Sequence, residues 1–536
     1  MIKNLRFSYH FLLTLISKKN KELIYVLIFF AVVLLVWNLL PSNSTGSAYK
    51  SLSSRIAKPT YIEGVVGSIN TLNPVYEKSL AERELNYFVF RGISKVSEDG
   101  SVVPDLAESI SKISDKIYRV KLKEDIYWHD GEPITSEDVI HTVELTQKPN
   151  PESSLSNNFK DVEVVKVDEE TIEFILKEPF SPFLLNTTVR LVPKHISLEK
   201  YKPIGSGDFR VGEFEEDRIT LESEKVKLVF KFYKTKEDAI LALKLGEIDG
   251  LGALSFFDLE EFKFWPNINI YSSDQQQRQV VLFFNLQNKL LAEKEIRQSI
   301  GSSIPKNLVT KILPEFNIKI SNTSLPLESW AESNGEVYSE YNLKSAIETL
   351  EKLGWKKEGD YFIQQGEVLT LTLKTSDDPE HQEVAQFVKD SLKTLGVAVN
   401  IETFTNKELK DQVIPERDFQ SLLIIQELSV DPDQYSLWHS SQKNNANISS
   451  LSSDKVDKIL EDGRRISDIK KRKESYQTFN RILADEVPAI FFYYPKYFWL
   501  VNKRVKNIQL ESLIETSDRF NNVNDWQFVE NLPYIR

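Results

Sequence analysis

Between Val226 and Phe232 apolar and polar positions alternate, with Val226, Leu228, Phe230 and Phe232 on one face and Lys227 and Lys231 on the other. That two-residue period predicts a half-buried strand. From Lys236 to Leu245 the spacing becomes helical, with Ala239, Ile240 and Leu243 on one side and Gly246 placed as the stop. Glu247-Ile248-Asp249 then opens a further strand, so the stretch predicts a β-α-β unit with parallel pairing and a right-handed crossover. The pattern returns between Tyr341 and Gln426. Leu343, Ile347, Leu350 and Leu353 recur at helical spacing, and Leu369, Leu371 and Leu373 alternate. Val384, Phe387, Val388 and Leu395 mark a second helix that Gly396 ends, then Val397, Val399 and Ile401 alternate again. Phe419 to Ile425 reads as a buried strand, helices follow at Asp454–Asp462 and Ser467–Glu486, and Ala489–Val501 (AIFFYYPKYFWLV) is an aromatic strand run. Two β-α-β regions joined by extended segments predict an α/β protein of two lobes.

Earlier in the chain, Ile117–Leu122 alternates as a strand and Val162–Leu176 reads as a hairpin about an Asp-Glu-Glu turn. Between them lies IYWHDGEPITSEDVI, Ile126 to Ile140. Asp130-Gly131 is a turn pair, because Gly accepts positive φ. Thr135 is placed to cap the next helix, with Asp138 returning the bond. Trp128 fits a core position. This block carries structure rather than a catalytic dyad.

One segment stands apart. Leu23 to Leu40 is apolar over 18 residues except for Asn38 near its end. As a helix it would span about 27 Å, close to a bilayer's hydrocarbon thickness. Five basic residues and one acid precede it in residues 1–22, which places that segment in the cytoplasm and everything after Pro41 outside. An uncleaved anchor is the favoured expectation; a cleaved signal sequence with Gly46-Ser47-Ala48 as processing site is the alternative. The Ser-rich 41–56 segment reads as a tether.

Composition narrows the chemistry. The net charge is −12 over 536 residues, which disfavours nucleic acid as partner. No cysteine is present, so disulfides, Cys-ligated metals and a lipid thioether are excluded. The six histidines (10, 129, 141, 195, 381 and 439) show no metal-ligand spacing. Gly205-Ser206-Gly207 does not have the spacing of a nucleophile elbow, and no phosphate-binding P-loop occurs. Neither an enzyme, a metal site nor a cofactor is expected. Candidate ligand contacts are Asn73, the Asn285 amide after an apolar strand that marks a lobe crossing, and Asp431 with Asp433 and Trp438 about the Pro432 turn. The alternative for the last group is a turn with solvated acids.

The Trp128 block closely resembles the W-H-D-G-x-P-x-T-A-x-D-V segment of the family-five extracellular solute-binding proteins, of oligopeptide- and dipeptide-binding type. The likeness continues in the family's order through Leu72-Asn73-Pro74, Val103 to Ser109, Ile204 to Phe209, Gly246-Glu247-Ile248-Asp249 and Phe284-Asn285-Leu286. It resumes at Glu295 to Gln298, Leu353-Gly354-Trp355, Leu395-Gly396-Val397, Asp431-Pro432-Asp433 and Val487 to Ile490, covering about residues 60 to 510. The resemblance implies two periplasmic-binding-protein-like lobes joined by hinge strands: 57–270 (with 91–204 a subdomain) completed by 497–536, and 271–496. It also implies a small ligand, foremost a peptide, delivered to an ABC permease with a separate ATPase. Peptide-binding members hold the ligand's α-ammonium on an Asp three residues before the Asp-Pro pair. That position here is Leu428, and Glu427 could substitute only if the strand slipped by one residue. The expected location is the cell membrane, single-pass, with the ectodomain outside. Rival readings are a non-transport peptide sensor or chaperone, and an anchored hydrolase.

Overall fold

The computed structural model describes residues 58–529 except 149–154, 156–157, 197–202, 314–316 and 333–339. The apolar 23–40 segment and the 41–56 tether lie outside the described residues. Among the described residues no helix is long and apolar enough to cross a membrane. The chain divides into two compact units, Met1–Lys58 and Pro59–Arg536, and every element below belongs to the second.

The first β-α-β prediction is realised with a strand inserted. Lys227–Tyr233 and Gly250–Leu254 are not neighbours; Thr60–Val66 lies between them, parallel to both. The helix Lys236–Leu245 joins them, capped by Thr235, whose side chain accepts from the Asp238 N–H at 3.1 Å, and stopped by Gly246 at φ 73°. The sheet runs Ile268–Asp274, Lys496–Asn502, Gly250–Leu254, Thr60–Val66, Lys227–Tyr233, Arg218–Glu222, Arg210–Phe214. Its two faces bury separate cores, one holding Tyr61, Phe230 and Trp499, the other Leu243, Leu251 and Leu500.

The second predicted β-α-β region follows the same logic. Thr370–Ser376 pairs in parallel with Ala398–Phe404 and with Ser421–Glu427. The helix Pro379–Leu395 between the first two is capped by Asp378 and ended by Gly396 at φ 106°. This sheet runs Lys319–Ile320, Ala489–Tyr494, Arg278–Phe284, Ser421–Glu427, Thr370–Ser376, Ala398–Phe404. Alternate residues of Arg278–Phe284 feed opposite cores: Val280 and Leu282 one, Val281 and Phe283 the other. A four-stranded antiparallel sheet, Ala107–Ser114, Ile117–Leu122, Thr171–Leu176 and Val162–Lys166, shares the core of the first large sheet.

The chain passes between the large sheets at two adjacent places, Asp274 to Arg278 and Tyr494 to Lys496. The aromatic run expected as one strand is therefore two strands of different sheets, broken at Pro495, which lacks an N–H for either ladder. Lys496 Nζ meets Asp274 at 2.5 Å and Lys319 Nζ meets it at 3.2 Å, so charged pairs pin the crossing. Asn285, expected at a lobe crossing, instead follows the far end of Arg278–Phe284.

Candidate functional site

The site starts from the helix Leu80–Val89, whose N-cap Ser79 accepts from Glu82 N–H at 3.1 Å. At its other end the Val89 carbonyl accepts from the N–H groups of Ser206 (2.9 Å) and Gly207 (2.8 Å). A Cβ added at Gly205 would lie 1.8 Å from Val89 O, and one at Gly207 2.2 Å from Phe88 O. Only glycine permits this approach. His129, from the Trp128 block, holds the segment: its Nδ1 accepts from Gly205 N–H at 3.3 Å and Nε2–H donates to Gly207 O at 2.8 Å. Those roles require neutral imidazole, and burial, the largest influence, lowers the His129 pKa in agreement. The clamp places Asp208 in a cleft wall.

The cleft has a volume of about 1280 Å³. One wall comes from the first sheet's body, including Tyr87, Phe209, Arg190, Glu515 and Asp518; the other comes from Ser429 and Asp433 on the loop after the second sheet's Ser421–Glu427 strand and from Ser436 in the short helix Tyr435–Trp438 that follows. Charges of both signs alternate with rings. Arg190 pairs with Glu515 at 3.0 Å and lies 5.6 Å from the Tyr87 ring centroid, while Tyr87 OH donates to Asn521 at 2.7 Å. Burial raises the Glu77 pKa although Asn86 donates to it at 3.0 Å and Arg83 stands 3.8 Å away. Asp518 accepts from the N–H groups of Ile514 (3.0 Å) and Glu515 (2.8 Å), yet burial pushes its pKa up to about 6. Arg91 forks onto Asp105, with Nε–Oδ1 at 3.1 Å. The cleft therefore offers paired charges that a ligand bearing both signs can exchange.

One edge is closed by direct contacts between the two bodies. Ser181 N–H donates to Arg464 O at 2.6 Å, and Ser181 Oγ to Ile466 O at 2.5 Å. The Arg464 guanidinium lies 3.8 Å from the Tyr435 centroid and 5.5 Å from that of Phe180, and its Nε donates to Asp433 at 2.8 Å.

Of the six candidate ligand residues, Asp433 borders this cleft and Asn73, Asn285, Glu427, Asp431 and Trp438 do not. Asn73 is buried beside cleft-lining Pro74, with its Oδ1 accepting from Val75 N–H at 3.0 Å. Asn285 spends its amide on Arg417 O (3.2 Å) and Phe419 O (3.0 Å). Glu427 is exposed opposite Arg278 in the ladder. Leu428 is buried and donates its N–H to Gln277 O at 2.7 Å; Ser429, next along, reaches the cleft. Asp431 is held by Arg472, Nη1–Oδ2 at 2.7 Å, and Trp438 packs between Phe283 (6.0 Å) and Phe491 (6.1 Å). Asp433 alone of that turn's two acids lines the cleft. Of the structural motif, Trp128 is buried, Asp130 meets His195 Nε2 at 2.8 Å, Gly131 has φ 96°, and Thr135 and Asp138 form the capping box. Arg190, Glu515 and Asp518 were not foreseen, since they are brought together from segments over 300 residues apart. Among the described residues no group of three His, Asp or Glu is placed to hold a metal ion.

Two α/β sheets exchanging strands at paired crossings, with a charged cleft between them, define a solute-binding protein. The family profile "Bacterial extracellular solute-binding proteins, family 5 Middle" matches residues 101–447, and the chain belongs to that family, whose members bind rather than transform. It is 26% identical over 488 residues to the oligopeptide-binding protein AppA of Bacillus subtilis (strain 168), covering 84% of this chain and 89% of the relative. The probable D,D-dipeptide-binding periplasmic protein DdpA of Escherichia coli (strain K12) is 23% identical, covering 86% of this chain and 93% of the relative. Among solved structures, NikZ from Campylobacter jejuni in complex with Ni(L-His) superposes with TM-score 0.75 at 26% identity, covering 88% of this chain and all of that one (100%).

Proposed function

We propose that this chain is a membrane-anchored extracytoplasmic receptor that captures a short peptide and hands it to an ABC-type permease whose ATPase is a separate subunit. The two sheet bodies serve as lobes, 57–270 with 497–536 and 271–496, that close on the ligand by its differential affinity for the closed form. One observation carries the reading: a cleft of about 1280 Å³ in which guanidinium, carboxylate and aromatic groups of the first body face Ser429, Asp433 and Ser436 of the second. That exceeds the roughly 300–1,000 Å³ of pockets for single small molecules and suits a chain of amides with charged side groups. AppA and DdpA, named for oligopeptide and dipeptide binding, support the class. Residues 23–40 supply the anchor and 41–56 the tether.

The family resemblance places a carboxylate for a free α-ammonium at the position of Leu428, which is buried and apolar here. A buried ammonium without a counter-charge there would cost several kcal/mol. Calorimetry with matched free and N-acetylated peptides of three to nine residues tests this. Affinities within about threefold of each other support the reading, and absence of binding by every peptide overturns it. Strict dependence on the free amine would show that the ammonium is held elsewhere, by a carboxylate such as Asp433.

A further inference from the structure

The first large sheet ends in an exposed apolar patch on the side where the chain enters it. Phe264 is 96% exposed, Leu245 61%, Leu241 54% and Trp265 37%. Leu241, Lys244 and Leu245 share a helix face at i, i+3, i+4 spacing. Lys244 Nζ lies 5.4 Å from the Phe262 centroid and 5.9 Å from that of Trp265, which joins the helix and the Phe264-Trp265 turn into one surface.

Sheet register fixes where this surface lies. Thr60, the first strand residue, has its carbonyl bonded by Arg504 at 2.8 Å, and Arg504 also pairs with Asp249. Asn502 donates to Asp249 O at 2.7 Å and pairs with Ile268, whose own N–H reaches Trp265 O at 3.4 Å. Thr60, Leu245 and Trp265 are thus gathered at one end. At the opposite end Thr60–Val66 runs on to cleft-lining Pro74, and Lys496 meets Asp274 at the strand crossing.

We propose that this patch is a membrane-resting face, seated in the headgroup–acyl boundary of a lipid bilayer with the cleft turned toward solution for ligand capture. The proposal rests on the anchored reading above. Only 17 residues, 41–57, separate the apolar 23–40 segment from Lys58. Fully extended they reach about 60 Å, so the patch stays near the surface yet can lift off and present the cleft to a permease. Tryptophan, phenylalanine and leucine favour that boundary. The lysines within the patch are paired, Lys244 with Glu261 and Lys263 with Glu260 at 2.6 Å. With a net charge of −12 on the whole chain, the contact depends on apolar insertion and needs no anionic lipid.

The chain contains no cysteine, so one introduced thiol labels a single site. Full-length F264C and, as control, K407C (side chain 84% exposed on the other sheet's body) carry an environment-sensitive fluorophore in phosphatidylcholine nanodiscs. Quenching by nitroxide-bearing lipid should be at least threefold stronger at 264 than at 407, unchanged by salt or added anionic lipid. Equal quenching at both positions overturns the proposal. So does shielding at 264 that appears only with co-reconstituted permease, which would assign the patch to protein docking. W265C repeats the reading should F264C fold poorly. Release of the chain by alkaline carbonate would sink the anchored reading alone; the same probe is then read on the released chain added to vesicles.

Discussion

Arg464 Nε donates to Asp433 Oδ2 at 2.8 Å while the same guanidinium stacks 3.8 Å from the Tyr435 centroid. Asp433 lines the cleft, and the Arg464 backbone carbonyl is held by Ser181 of the facing body at 2.6 Å. One residue therefore joins the cleft wall to the contact that closes the cleft edge.

Arg464→Ala removes a charge-assisted bond and its aromatic stacking, worth about 1.5 kcal/mol for a partly exposed pair. Ligand affinity should fall roughly tenfold. The radius of gyration of the ligand-free protein by X-ray scattering should rise. Unchanged affinity and scattering would show that this edge does not govern closure.

Asp431 holds a structural place rather than a ligand. Its side chain is 16% exposed and that of its partner Arg472 5%. Asp431→Ala leaves a buried guanidinium without its fork, and unfolding in urea should show a loss of about 3–5 kcal/mol. Affinity of the protein that remains folded should change less than threefold. A selective loss of affinity would return Asp431 to the ligand site.

Asp518 titrates against the usual direction for carboxylates. Burial raises its folded pKa to about 6 from 3.8, so between those values the native state binds more protons than the unfolded one. Its contribution to stability is complete below pH 3.8 and is lost as pH rises through 6. The stability difference, wild type minus Asp518→Asn, should therefore decline by about 2–3 kcal/mol from pH 4 to 7. A flat difference would contradict the burial argument.

Two glycines should respond for different reasons. Gly205→Ala sets a Cβ 1.8 Å from Val89 O, where only backbone can move, and should cost more than 3 kcal/mol and disturb the Asp208 wall. Gly131→Ala meets nothing within 4 Å and pays only for φ 96°, about 1 kcal/mol. Equal losses in thermal unfolding would contradict this division.

Local rules carried much of the fold. The Thr135–Asp138 capping box, the helix stops at Gly246 and Gly396, and the alternating strands lie where period and cap chemistry place them. Strand order was not legible: Thr60–Val66 slots between strands that the sequence makes consecutive, a long-range pairing without local signature. The Ala489–Val501 run is apolar on both sides of Pro495-Lys496, a pattern that does not tell one strand from two; Pro495 was the available clue. The site was read least well. The Asp-Pro-Asp turn drew attention as a motif, whereas Arg190, Glu515 and Asp518 are ordinary residues in unrelated segments that only the tertiary fold assembles.

The most direct measurement is mass spectrometry of the small molecules that acid releases from freshly purified full-length protein. The account predicts intact peptides near one per chain, unchanged in mass after prolonged incubation with the protein. Recovery of shortened products, or of no bound solute from chain that also ignores added peptides, would contradict it.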